Sequence, residues 1–274
     1  MKAAVKNDYE TRNVNFSVMI GETNEQYMAL LNNLNIEPGL KMLDLGGGYG
    51  FVLEKIIELK GAVPFHYDLV DGAQHQLNKG KTSHLAILNN NRPGPEIRYL
   101  HQNALELDLP QNYYDVVLCK MFIHEIPEAK KQALFNSIYS VIKPGGSFVI
   151  WAPDLSVADK DFYSKVIFEK DKLAGYTSFL INRHFSLNEE LFGYLKQAGF
   201  TQPEKKHSFF YDLHTINRLQ EEFGGDENKL SQWNDCILKL TASLNEDIRK
   251  KILVAIDKTN IHLRFNRAIF KAIK

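Results

Sequence analysis

An α/β fold with a parallel sheet covered by helices on both faces is the architecture this chain predicts. Two observations carry it. Short apolar runs of strand character alternate with amphipathic helical stretches from residue 39 onward, the pattern of parallel strands joined by crossover helices. At the first strand-to-helix junction stands the glycine-rich turn Leu43-Asp44-Leu45-Gly46-Gly47-Gly48-Tyr49-Gly50. A length of 274 residues, 44% of them hydrophobic, suffices for one large domain with an appendage.

Residues 1–38 read as a helical preface and cap, with Phe16, Val18 and Met19 ahead of a helix from about Glu22 to Asn33 and a stop at Pro38-Gly39. Leu40, Met42, Leu43 and Leu45 form the first strand; Phe51, Leu53, Ile56, Ile57 and Leu59 then recur at helical spacing. Next come a strand over 63–70, a helix from Gln74 to Leu88, a breaker over 89–95 and a strand over 97–100. Asp115 to Cys119 is a near-continuous apolar run suited to the sheet centre. The helix after Pro127-Glu128 carries Leu134, Ile138, Val141 and Ile142, with proline early, as helix starts prefer. It stops at Lys143-Pro144-Gly145-Gly146, before a fifth strand over 147–151.

Residues 153–185 read as a polar and aromatic connection, partly helical, followed by a helix over 187–198 that ends at Gly199. A sixth strand is expected over 206–212 and a seventh over 265–273. Three helical stretches fall between them, at 215–223, 227–240 and 245–258. The expected organisation is thus a preface (1–38), a core (39–212), a helical insertion or lid (213–262) and a final core strand (263–274).

Formal net charge is zero, so there is no global attraction for nucleic acid or anionic lipid. The tail from Arg264 to Lys274 holds four basic and no acidic residues; a terminal strand with solvated charges on one face accounts for it. Cys119 and Cys236 lie far apart and outside any C-x-x-C pair, implying neither a disulfide framework nor a zinc site. His66, His75, His84 and His101 show no metal-ligand spacing, and no metal is expected. Without a signal peptide or membrane span near the N-terminus, a cytoplasmic monomer or homodimer is expected.

Glycines at a strand-to-helix turn allow positive φ and let a ligand approach the backbone. Dinucleotide sites use G-x-G-x-x-G, whereas the spacing here is G-x-G-x-G, with Asp44 two residues before the first glycine. A carboxylate there would repel a pyrophosphate but attract an ammonium and a sulfonium. A nicotinamide dehydrogenase is disfavoured for the same reason. On these residues the chain resembles the class I S-adenosylmethionine-dependent methyltransferases, whose first motif is an acidic residue followed by G-x-G-x-G.

The resemblance implies a doubly wound, seven-stranded, mostly parallel sheet with the last strand antiparallel, and S-adenosylmethionine as cofactor. It places Asp44, Gly46, Gly47, Gly48 and Gly50 around that cofactor. The acidic residue that meets the ribose in the family corresponds to Asp68, with Asp71 in Val70-Asp71-Gly72-Ala73 as rival. The polar residue that meets adenine corresponds to Asn103, followed by Ala104, a departure from the family's usual acid. Leu109 to Val117 resembles the family's run into strand four, and Lys143 to Gly146 its turn before strand five.

Methyl transfer is an in-line displacement at an already activated carbon, so alignment supplies much of the rate and a base supplies more where the acceptor must lose a proton. The loop Lys120-Met121-Phe122-Ile123-His124-Glu125-Ile126-Pro127 is placed for both. His124 is the candidate general base, with packing against the cofactor or helix capping as its alternative role. Glu125 is the weaker candidate, and Lys120 faces the cofactor or forms a salt bridge. Tyr163, Tyr176, Phe179, Phe185 and Trp233 are candidates to line an apolar acceptor cavity, which favours a small organic molecule accepting at O, N or C. The competing readings are a cofactor-binding protein that transfers no methyl group and a methyltransferase acting on RNA or protein.

Overall fold

Helix α1 (Asn24–Leu34) begins at a reciprocal cap: the Gln26 N–H donates to Thr23 Oγ1 (3.3 Å) and the Thr23 N–H donates to Gln26 Oε1 (3.1 Å). Two otherwise orphaned donors are thereby satisfied. The helix ends at Asn35 in the left-handed conformation, and Tyr27, Leu30, Leu31 and Leu34 make its buried face. These and the following details come from a computed structural model that describes residues 8–10, 21–88, 93–256 and 260–274. The expected preface residues Phe16, Val18 and Met19 and the breaker residues 89–92 lie outside that set.

From α1 the elements alternate: β1 (Lys41–Leu45), α2 (Phe51–Lys60), β2 (His66–Asp71), α3 (Gln74–Leu88), β3 (Glu96–His101), β4 (Tyr114–Lys120), α4 (Glu128–Val141) and β5 (Ile142–Pro153). Then come α5 (Val157–Ala174), α6 (Thr177–Asn182), α7 (Asn188–Ala198) and β6 (Thr201–His214). A π-helical turn, Thr215–Leu219, leads through Gln220–Glu222 to α8 (Glu227–Ala242), α9 (Glu246–Ile252), β7 (Leu253–Ile256) and β8 (Ile261–Ile273).

The sheet runs in the order β3-β2-β1-β4-β5-β8-β6, with β7 paired to β8. Strands β1 to β5 are mutually parallel, and β8 lies antiparallel between β5 and β6. The strand order reverses between β1 and β4, so the crevice beyond their carboxyl ends is where a ligand fits. Helices α1 and α2 bury Tyr27, Leu30, Val52 and Ile56 on one face of the sheet; α4 and α7 bury Leu134, Phe135, Leu191 and Leu195 on the other. A third core joins α5 and α8 to the far ends of β6 and β8 through Phe162, Tyr163, Val166, Trp233, Leu213 and Leu263. This third core takes in most of the 213–262 insertion expected as a lid, together with α5, and is called the lid below.

Among the described residues the sheet has the expected seven strands in its main path and one short additional strand, β7, paired to β8. The helix foreseen to run to residue 258 stops at Ile252, because Leu253-Val254-Ala255-Ile256 combines β-branched side chains with a free edge of β8 to pair with. Strands β6 and β8 are also longer than expected at their lid ends, where each supplies the other's backbone partners. No helix among the described residues is long and apolar enough to cross a membrane.

Candidate active site

A cavity of about 800 Å³ opens at the switch point. Its floor is the turn between β1 and α2. Asp44, next to last in β1, is fully buried, with Oδ2 accepting the Tyr67 hydroxyl and Oδ1 lacking any hydrogen-bond partner. Burial pushes its carboxyl up to about 6, against the Tyr67 hydrogen bond and the charge of Lys120. Gly46 sits at φ 70°, and a Cβ there would run into the Phe122 ring; a Cβ at Gly47 would lie 2.6 Å from Asp44 Cγ. The turn is therefore closed to side chains on its protein side, while Gly48 faces open space.

Register decides between the two acids of β2. Asp68 lies level with Leu43 in mid-strand and is absent from the cavity wall; Arg98 and Tyr114 engage its carboxylate. Asp71 lies one residue beyond the Leu45–Val70 pair, at the strand's carboxyl edge, and lines the cavity. Its Oδ2 accepts the Gly48 N–H and its Oδ1 the Ala73 N–H, both at 2.8 Å. Asp68, the acid expected at the ribose, thus lies three residues, about 10 Å, back from the strand's edge, and its rival Asp71 is the one on the cavity wall.

Asn103 and Ala104 line the cavity after β3, and the Asn103 side chain accepts the Leu105 N–H (3.1 Å). Gly50 does not line it; at φ 79° it caps α2 and packs against His84, whose ring also meets the Tyr99 hydroxyl (2.7 Å). Lys120, at the end of β4, is held by Glu22 (2.8 Å), which also receives Arg267 Nη1 (2.8 Å) and the Tyr27 hydroxyl. Burial alone would raise the Glu22 carboxyl, but Lys120 and Arg267 outweigh it and keep it ionised. Arg267 is thus buried against the cavity with its guanidinium on the Tyr211 ring (3.6 Å), not solvated as the tail's pattern implied.

His124 and Glu125 face the opposite wall. His124 Nε2 lies 3.1 Å from Glu125 Oε1, its ring stacks on Phe185, and Nδ1 is buried without a partner. Burial lowers the His124 pKa against the pull of Glu125, so the imidazole is neutral at neutral pH. With Nε2 donating to a carboxylate, the lone pair resides on Nδ1. Glu125 accepts the Arg183 guanidinium on both oxygens and the Tyr9 hydroxyl (3.2 Å). Burial would raise its carboxyl, yet Arg183 and His124 hold it well below the ordinary range. So tightly paired an anion is a poor base. Of the five aromatic candidates, Tyr163, Phe179 and Phe185 line the cavity, while Trp233 packs inside the lid core and Tyr176 stands off the wall.

Residues 42–146 match a family model described as a methyltransferase domain. A ubiquinone/menaquinone biosynthesis C-methyltransferase UbiE of Vibrio cholerae is 30% identical over 178 residues, 60% of this chain and 65% of the relative. Over that shared part the chain is similar to the class I S-adenosylmethionine-dependent methyltransferases. It spans 41% to 65% of the length of the curated relatives it matches. Among solved structures, a Bacillus halodurans protein described as a candidate methyltransferase superposes with a TM-score of 0.72 at 17% identity, covering 91% of this chain and 99% of that one. Phosphoethanolamine N-methyltransferase 2 of Haemonchus contortus, solved with S-adenosyl-L-methionine, gives 0.53 at 18% identity, covering 97% and 56%. These structural likenesses speak to fold.

The class I methyltransferase cofactor fits the residues present. A glycine cradle that a Cβ would fill and a buried carboxylate oxygen with no partner suit a cationic ligand pressed against the backbone. Sequence reasoning missed Tyr67, which orients Asp44, along with Arg183, Glu22 and Arg267. None of these left a local signal: Tyr67 sits across from Met42 on the neighbouring strand, two residues from Asp44 in register, a relation that only the pairing reveals.

Proposed function

We propose that the protein transfers the methyl group of S-adenosylmethionine to a small organic acceptor, with Asp44, Gly46, Gly47, Gly48, Asp71, Asn103, Ala104 and Lys120 holding the cofactor. The observation that carries this reading is the shared cavity: the glycine turn and Asp44 on one side and His124 with the rings of the opposite wall on the other line one cavity, and behind its surface Asp44 Oδ1 and His124 Nδ1 are buried without hydrogen-bond partners. When bound, the cofactor supplies an electrophilic methyl carbon on a sulfonium. Asp44 would offset its positive charge, Asp71 would take the ribose hydroxyls and Asn103 the adenine.

On the other side, His124 removes the acceptor's proton at Nδ1, and Glu125 fixes its tautomer while Arg183 keeps Glu125 ionised. Tyr163, Phe179, Phe185 and Ile167 exclude water and suit a ring or chain of apolar character. The UbiE relatives, named for quinone biosynthesis, make hydroxylated aromatic rings the first acceptors to test. Wall cations already paired with acids support a small acceptor over RNA.

The test is incubation with methyl-labelled S-adenosylmethionine and a panel of phenols and hydroquinones, reading S-adenosylhomocysteine and labelled product by mass spectrometry. Expected is cofactor binding by calorimetry with turnover on at least one hydroxylated ring. Binding without turnover on this panel, on amines or on carbon acids would favour the reading in which the fold binds the cofactor without transferring its methyl group.

A further inference from the structure

Beyond the methyltransferase site, the lid ends of β6 and β8 gather a second set of chemically active side chains. Their antiparallel register sets His214 opposite His262, Leu213 opposite Leu263 and Asp212 opposite Arg264. Side chains alternate across a strand. Tyr211, Leu213, Ile261, Leu263 and Phe265 therefore turn into the lid core, and Asp212, His214, His262 and Arg264 share the other face, half-buried. There the two imidazole rings approach to 3.8 Å between centroids. His262 Nε2 lies 3.3 Å from Asp212 Oδ1, buried and making no hydrogen bond. One nitrogen from each histidine and one carboxylate oxygen all fall within 4.8 Å of one another.

Two imidazoles and a carboxylate on one rigid two-stranded ribbon make a donor set with a definite preference. Imidazole nitrogen suits zinc, nickel and copper, whereas calcium and magnesium take oxygen. Ligand atoms around zinc stand about 2.0–2.2 Å from the ion, so the two rings, tilted 31° to one another, must turn to aim both lone pairs at one point. We propose that Asp212, His214 and His262 form a binding site for a zinc-class divalent cation, with solvent completing its coordination. Asp212 and His214 line an outer groove shared with Thr23 and Gln26, which gives an ion its path of entry. Bound there, the cation ties the end of β6 to the start of β8 and stiffens the lid.

Arg264 modulates the site. Its Nε donates to Asp212 Oδ1 (2.7 Å) and its Nη2 to Oδ2 (2.9 Å). Such second contacts orient metal-ligating carboxylates, while the guanidinium charge opposes that of the ion. Binding of a cation requires Oδ1 to turn from Arg264 towards the histidines, with Oδ2 remaining on the guanidinium. The motif is invisible to spacing rules because its members come from strands far apart in sequence.

The test uses tag-free protein stripped of metal, titrated with Zn²⁺ by calorimetry and with Co²⁺ by visible absorption. Expected is saturable binding of one ion per chain, with affinity reduced about a hundredfold or more in both His214→Ala and His262→Ala. Far-ultraviolet circular dichroism checks that each variant folds, and His214→Gln and His262→Gln, which conserve polarity, replace either that does not. Arg264→Gln is expected to bind more tightly than the parent, and weaker binding in it counts against the site. Absence of saturable binding of both ions, or parental affinity in either histidine variant, would overturn the assignment.

Discussion

Asp44 combines two opposed properties. Its carboxyl is raised to about 6 by burial, so the folded state holds a proton more readily than the unfolded chain. On this group's account stability falls as pH rises from the ordinary carboxylate value to about 6, by as much as about 3 kcal/mol. The charge at neutral pH is thus a cost to the ligand-free protein that Tyr67 and Lys120 offset in part and a cationic ligand would offset further. Asp44→Asn is expected to raise the melting temperature of the ligand-free protein at pH 7.5 and to weaken S-adenosylmethionine binding about tenfold or more, read by scanning and titration calorimetry. An unchanged dissociation constant would refute the role given to Asp44. His124 has the opposite sign: burial lowers its pKa, so the base form persists from pH 8 down to below its ordinary value. Turnover should stay level across that range and fall only at lower pH. His124→Gln should lose roughly 10²–10⁴ in kcat with cofactor affinity within about twofold; full turnover at every pH would exclude the base.

The β1–α2 turn translates glycine positions into shape. Gly46→Ala must place a Cβ at positive φ and into the Phe122 ring, and is expected to destabilise the fold by about 1–3 kcal/mol and to weaken cofactor binding. Pairing it with Phe122→Ala should recover the steric part alone, so urea midpoints would show partial rescue; complete rescue would mean that φ strain is negligible. This turn was readable in the sequence because it depends on consecutive residues. So were the parallel strands β1, β2, β4 and β5, whose apolar runs state their burial directly, and β3, which has no fully buried residue, by its place in the alternation of strands and helices. The choice between Asp68 and Asp71 was not readable, since both follow apolar residues in Tyr67-Asp68-Leu69-Val70-Asp71; it rests on the register of β2 against β1 and on Arg98 arriving from β3. Strand β7 was hidden for a similar reason, since its partner β8 has no local signature at residue 253.

Core and lid are joined by charges that sequence proximity does not connect. Arg183 bridges Glu125, in the loop after β4, and Asp171, on α5; Asp171 also receives Lys170, which reaches Glu222 beyond β6. Above them the turn Asp8–Glu10 straps across: Glu10 accepts the N–H groups of Gln74 and His75 at the start of α3, and Asp8 accepts the N–H of Ser178 on α6 (2.7 Å). Burial makes such a network costly to interrupt and cheap to replace whole. Arg183→Met leaves Glu125 and the fully buried Asp171 without their shared cation, and should destabilise the protein by about 3–5 kcal/mol in urea unfolding. Adding Glu125→Gln and Asp171→Asn removes the stranded charges and should recover most of that loss. The triple variant would nevertheless lack the carboxylate that fixes the His124 tautomer, so stability and turnover should part company: recovered midpoint, low kcat. Recovery of both would show that Glu125 serves the lid alone and takes no part in orienting the base.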